Sequence, residues 1–585
     1  MNNTILLKMV FIPFFSFLFL FISVPVFAQW SSNTSTNLQI CDVSGEQVLT
    51  KIAACPDGGC YISWFDHRGS SYAVYLQKLN SLGVKQFASD GLLISNHPQN
   101  SSLVDYDLIC DENNNAVIAF TDIRNSGEIN PFAYKVSPTG TMLWGSNGVT
   151  LSDSVNSFQP NPKIVETSDG NFVFAWRIGS GPIKIAMQKL NSAGVKQWGS
   201  GHPLYFSSGT GENYDWPSEV VSDNGSVILY WCGYTGSFIN PGNYKLYTQK
   251  ISSSGTRVWN STQDTVYSLG RVSGFYTPLV FPDKNNGAIF VWQDDRYSTN
   301  ETNSYVQRIS SSGTFLFPVN GSAVSGVSGK LRFAPEAAIV TSSQETYVFW
   351  QEKNTLQSLI GVYGQKFSST GTRMWNDAGV AFKPLDANSF SSLTAYTKDT
   401  SVFVYYLELL SGSTNGLVKA FITGPSGAFG WGGSIITPGN STSEKIRMKG
   451  ALSPDGMSML SWQDNRNDGG IYAQNINLDG TFGNPMGVTP VSSNLPDKYS
   501  LSQNYPNPFN PSTKIRFSIP ASGQGNVKLS VYDVLGREVS VLVNQYLKPG
   551  EYEVNWNASD IPSGIYFYKI SSGNFSETKK MMLVK

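Results

Sequence analysis

Charged side chains are scarce in this chain: 41 Lys and Arg and 42 Asp and Glu among 585 residues make 14%, where about a quarter is usual. A formal net charge of −1 leaves no basic excess to neutralise phosphates. That excludes a nucleic-acid binder and a polybasic membrane-surface protein. The three histidines, His67, His97 and His202, are far apart and no Cys-x-x-Cys pair occurs, so neither a metal site nor a cofactor is expected. The five cysteines, Cys41, Cys55, Cys60, Cys110 and Cys232, are an odd number, which leaves at least one unpaired. Helical periodicity of useful length is missing from residues 30–490. What the chain does have is 40% hydrophobic and 13% aromatic residues, enough for a large core under a surface of Ser, Thr, Asn and Gly.

Long apolar runs are also missing, except at the N-terminus. Residues 5–28 carry one charge, Lys8, and end in Val26-Phe27-Ala28, with small residues at the −3 and −1 positions of a signal-peptidase site. No positive cluster follows to stop transfer, so residues 1–28 are expected to be a signal peptide cleaved before Gln29. An uncleaved anchor is the alternative, since the run is long enough to span a bilayer. Export would expose the cysteines to oxidising conditions. Cys55 and Cys60 bracket the turn Pro56-Asp57-Gly58-Gly59 and are the expected disulfide pair.

The middle of the chain repeats. Apolar runs end in Trp64, Phe120, Trp176, Trp231, Trp292, Trp350, Tyr406 and Trp462, at spacings of 56, 56, 55, 61, 58, 56 and 56 residues. Turn glycines recur in step: Gly83, Gly140, Gly194, Gly255, Gly313, Gly371, Gly427 and Gly480. Each copy reads as four short strands bounded by Gly, Asn, Asp and Ser; in the third these are Pro162–Thr167, Asn171–Trp176, Ile183–Leu190 and a strand near Val195–Phe206. The second strand is apolar on both faces and must be covered on both, as in a radial stack of sheets. The pattern predicts an all-β chain: an eight-bladed β-propeller over residues 29–490, a linker at 491–500, and a small immunoglobulin-like β-sandwich over 501–585. An open solenoid is the alternative. Two segments compete to close the ring, a lone strand within Trp30–Val43 and another near Met486–Val491.

The last 87 residues carry motifs of their own: SQNYPNPFNPSTKI (502–515), VYDVLGREV (531–539), GEYEVNW (550–556), SGIYFYKI (563–570) and KKMMLVK (579–585). Together, and in this order, they resemble the C-terminal sorting domain of the type IX secretion system. The resemblance implies export across the inner membrane, recognition of residues 501–585 by the outer-membrane machinery of that system, and delivery outside the cell or onto its surface.

A residue present in most copies of a repeat is structural, because one catalytic centre needs it only once. That reading assigns the recurrent aromatic-x-Asp-x-Arg (Asp66/Arg68, Asp122/Arg124, Asp294/Arg296, Asp464/Arg466) to a turn-holding ion pair, and the strand-three glutamines (Gln77, Gln188, Gln249, Gln307, Gln365, Gln474) to backbone satisfaction. No hydrolase elbow or zinc helix is present and no unique carboxylate pair stands out, so an enzyme is not expected. Departures from the repeat point instead to the fourth copy. There the strand two–three connection is lengthened around Tyr234, Phe238 and Tyr244, next to Glu212, Asp215 and Trp216. Those six residues are the expected ligand site of a secreted or surface binding and adhesion module, for a glycan or protein ligand. The alternatives are a polysaccharide-acting enzyme, either glycoside hydrolase or lyase, and a structural surface protein.

Overall fold

The computed structural model describes residues 29–585, apart from short stretches at 100–103, 125–127, 155, 238–240, 270–276, 297–300, 468, 484–487, 493–495, 521–524, 548 and 559–560. The expected signal peptide, residues 1–28, lies outside the described residues. Strands dominate the rest. Before residue 480 they form eight four-stranded antiparallel sheets in chain order, and after it two more.

The third repeat shows how sequence becomes sheet. Its first three strands are Lys163–Glu166, Phe172–Ile178 and Lys184–Leu190, in continuous register across the turn at Ser168-Asp169-Gly170. The fourth is shorter than expected, Leu204–Phe206. Between strands three and four the chain leaves the ladder, and Gln188 stands in for it. Its side-chain carbonyl accepts from the amides of Lys189 and Trp198, and its Nε2 donates to the His202 carbonyl. Gln77 and Gln365 make the same three bonds in their sheets.

The released loop docks an aromatic ring on the next sheet. Trp144, Trp198, Trp259, Trp375 and Trp431 each donate Nε1 to a carbonyl in the following repeat's turn, at 2.9–3.1 Å. Their rings lie where the turn glycine has no Cβ. A Cβ at Gly313 (φ +88°) would stand 2.8 Å from Trp259, and one at Gly480 the same distance from Trp431. The contact continues across the chain's ends, because Trp30 donates to Ser81 and lies over Gly83.

The N-terminal segment completes the last sheet. Leu38–Cys41 pairs with Gly470–Ile476, Asn37 donates to Gln474, and Gln474 donates to the Ser31 carbonyl. The first strands of consecutive sheets touch one another in order, and that of the eighth sheet (Lys445–Leu452) touches that of the first (Gln47–Ala54). The other expected closing strand goes elsewhere. Val488–Ser492 pairs with Gly550–Asn557, so its backbone belongs to the C-terminal sheets. The expected linker is shortened from its other end as well, since Ser500–Leu501 pairs with Ser512–Ile519. The two C-terminal sheets share one core built on Phe517, Leu529, Val554, Trp556, Tyr568 and Met581.

The expected Cys55–Cys60 disulfide is not formed; Cys55 bonds Cys110 of the second sheet instead, with Cα atoms 5.3 Å apart. Alternation along the hairpin explains the difference. Cys60 pairs with Ala54 and packs with Trp64 and Met459 toward the eighth sheet, whereas Cys55 faces the second sheet with Tyr61 and Leu108. Burial pushes the Cys60 thiol well above its ordinary range. Closing a loop of this length contributes roughly 2–4 kcal/mol. Peptide mapping without reductant should recover a Cys55–Cys110 cross-link and a free Cys60.

Candidate functional site

The repeated polar residues are structural. In all four Asp–Arg pairs the carboxylate accepts from the guanidinium at 2.5–2.6 Å and from the arginine's own amide. Trp64, Trp292 and Trp462 donate to the same aspartates. Burial alone would raise the Asp66 carboxyl, but hydrogen bonds from Arg68 and Trp64 outweigh it and hold it below the usual carboxylate range.

The positions that vary between copies are on the first strands. In each sheet one residue of that strand lies opposite the residue just before the marker aromatic. Around the eight sheets this register position holds Lys51, Asp107, Lys163, Ser218, Leu279, Glu336, Thr394 and Lys449. All eight keep some solvent exposure. The next residue along is apolar or glycine in seven copies and buried in most, as with Ile164 and Ala337; in the fourth it is Glu219.

Side chains from several of these first strands come together. Asp105, two residues before Asp107, accepts from Lys51 of the first sheet at 2.6 Å and from Lys163 of the third at 2.7 Å. Burial would raise its carboxyl, but those two ammonium charges hold it well below the ordinary range. Lys449 feels Lys51 above all, then burial, and both lower its pKa against the opposing charges of Asp105 and Glu336. Groups from the first, second, third, sixth and eighth sheets therefore lie near enough to act on one another, and all of the first-strand members keep some solvent exposure.

Two carboxyls here are unique to their repeats. Glu336 is pushed by burial from 4.5 up to about 8, against the pull of Lys449. Glu219 is only 5% exposed, and neither of its oxygens has a hydrogen-bond partner of ordinary geometry among the described residues. Burial and then Asp107 raise it far above the usual range, although Lys163 and the Ala175 amide favour its charge.

Both folded-state pKa values lie above the unfolded ones, so the folded chain holds protons that the unfolded chain releases. Their contribution to stability is full below about pH 4.5 and is lost as pH rises, ending near pH 8 for Glu336. Thermal melts should show the native protein losing more stability between pH 5 and pH 8 than Glu219→Gln/Glu336→Gln, by on the order of 2 kcal/mol. Parallel pH profiles would contradict the assignment.

The residues singled out in sequence are differently placed. Tyr234 and Tyr244 are 1% and 4% exposed and belong to a core cluster, because the strands that carry them are lengthened (Val227–Gly236 and Pro241–Ile251). Asp215 is buried, paired with Arg177 at 3.1 Å and accepting from the Tyr234 hydroxyl at 3.0 Å. Glu212 is half-buried beside the Tyr247 hydroxyl, and Phe238 lies outside the described residues. Trp216 is half-buried in strand one of the fourth sheet. Its φ of +48° matches Leu49, Asn161, Ala334, Ser392 and Arg447, each two residues before the same register position of its own strand. Asp105 occupies the same place in the second sheet. Trp216 thus shares its register place with Asp105, two residues before the first-strand position that Ser218 holds. Lys51, Asp105, Lys163, Glu219, Glu336 and Lys449 were missed in sequence. Aligning the repeats on their marker aromatics and looking for columns that vary would have brought these first-strand positions forward.

Residues 503–585 match the secretion system C-terminal sorting domain family. This sorting domain marks the chain for type IX export to the cell surface or beyond it. No curated protein matches the chain. Among solved structures, a polysaccharide lyase of family PL25, an ulvan lyase, is 8% identical with a TM-score of 0.41, covering 76% of this chain and 96% of its own. A protein of unknown function from Dyadobacter fermentans is 11% identical at 0.33, covering 56% and 96%. A GH43 endo-arabinanase from Bacillus licheniformis is 11% identical at 0.26, covering 46% and 95%. These likenesses are too slight to assign this chain an activity.

Proposed function

We propose that the chain is an exported binding protein whose eight sheets are the blades of one closed β-propeller, and whose ligand sits in the axial bore. In this reading a signal peptide is removed before Gln29, the propeller runs to about residue 483, and the sorting domain is an immunoglobulin-like sandwich that includes Val488–Ser492. Support for closure comes from the unbroken series of first-strand contacts and from Trp30 over Gly83. The observation that carries the site is the axial ring itself. It is a register position where the copies differ, and five of its eight residues are ionisable. A repeat that keeps its scaffold and varies one solvent-reached column has placed its specificity there.

The test is a glycan array with the exported protein. Glu336→Ala/Lys449→Ala should lose at least tenfold of whatever binding the native protein shows, and Trp216→Ala should weaken it by about 1 kcal/mol or more. Undiminished binding by the double variant, with an unchanged melting curve, would move the site elsewhere. A second reading, a polysaccharide-cleaving enzyme, is favoured by Glu219 and Glu336, two carboxyls whose neutral forms burial favours, Glu336 up to about 8. Turnover assays on pooled polysaccharides separate it from simple binding.

A further inference from the structure

The charges in the bore constrain what its occupant carries. Lys51 and Lys163 are both committed to Asp105. Lys449 is not committed: it is exposed to the bore, forms no ion pair with any described residue, and is crowded by Lys51 and Lys163. Burial favours the neutral forms of Glu219 and Glu336, which leaves Asp105 and Asp107 as the acids facing three lysines. The remaining lining is rich in hydroxyl and amide groups, with Ser218 and Thr394 in the ring and Asn161 and Ser392 in the adjoining layer beside Trp216.

Resting on the reading that the bore is the binding site, we propose that its ligand is an acidic saccharide whose carboxylate or sulfate group is held by Lys449. An anion there relieves the repulsion between lysines, which no neutral sugar does. Protonated Glu336 donates a hydrogen bond through its O–H, and Glu219 brings a second carboxyl whose oxygens have no partner of ordinary geometry among the described residues. The hydroxyls of Ser218 and Thr394 both donate and accept, matching the hydroxyls of a sugar. The indole of Trp216 offers flat apolar surface to the C–H face of a pyranose ring. An acidic peptide would satisfy Lys449 equally, but it brings few hydroxyls to the rest of the lining.

The experiment titrates four probes into the exported full-length protein at pH 7: a galacturonate trisaccharide, a sulfated galactose trisaccharide, a neutral galactose trisaccharide and a glutamate tripeptide. One or both acidic sugars should bind at least tenfold more tightly than the neutral sugar and the peptide, and whichever binds identifies the anion as carboxylate or sulfate. Lys449→Met should remove that preference and Lys449→Arg should keep most of it. In the native protein, raising salt from 50 to 500 mM should weaken the acidic sugar at least tenfold. Equal binding of neutral and acidic sugars, both weakened by Lys449→Met, would overturn the acidic class and leave the bore site standing. Acidic-sugar binding indifferent to Lys449→Met and to salt would overturn the bore site as well. Tighter binding of the peptide, or no binding by any probe, would overturn the saccharide assignment.

Discussion

Removing residues 29–41 should leave the chain unable to hold its fold. The segment contributes Trp30, Leu38, Ile40 and Cys41, all 3% exposed or less, and burying the three largest is worth roughly 1.5–3 kcal/mol each. Its loss also strips the hydrogen-bond partners from Ile471–Ala473, from Gln474, and from Arg466, which binds the carbonyls of Ser35 and Thr36. Against a net stability of about 5–15 kcal/mol, that is most of what a domain has. The truncated protein should aggregate, or melt at least ~15 °C below the native one, in circular dichroism. Trp30→Ala alone should cost about 3 kcal/mol. A truncation that melts where the native protein does would show that the ring does not depend on its N-terminal strand.

Removing residues 488–585 should do the opposite, sparing the fold and abolishing delivery. The C-terminal core is built within residues 501–583, and every other core cluster lies at or before Phe482. The cut therefore opens no ring cluster. Because Val488–Ser492 pairs within the sorting domain, cutting at 499 would leave a stranded strand, whereas cutting at 488 leaves none. The truncated chain should accumulate in the periplasm, folded and with Gln29 at its N-terminus by sequencing, and its surface and secreted fraction should fall at least tenfold. Unchanged delivery would contradict the sorting assignment.

The scaffold was readable in the sequence because its signals are local and recur. An aromatic every 56 or so residues and a turn glycine in step with it mark the same structural needs in each copy, and a glutamine six residues before that glycine marks a third in six of the eight. The sorting domain was legible through its motifs. Two errors share one cause. Cys55 and Cys60 are close in sequence, and Tyr234 and Tyr244 flank an insertion, but side-chain direction in a strand depends on register, which proximity does not reveal. Cys60 turns toward one neighbouring sheet and Cys55 toward the other, and the inserted tyrosines continue a hairpin into the core. The axial site was hidden for a further reason. Lys51, Asp105, Lys163 and Lys449 are ordinary surface-type residues in or next to the first strands, and only the packing of those strands on one another brings them together.

The most direct measurement is a crystal structure of the exported protein with an acidic oligosaccharide that it binds. The expected result is density at the proposed axial site, with the anionic group within hydrogen-bonding distance of Lys449 Nζ and a sugar hydroxyl or carbonyl against Glu336. Density confined to the outer hairpin of the fourth sheet, with the bore holding only water, would contradict it.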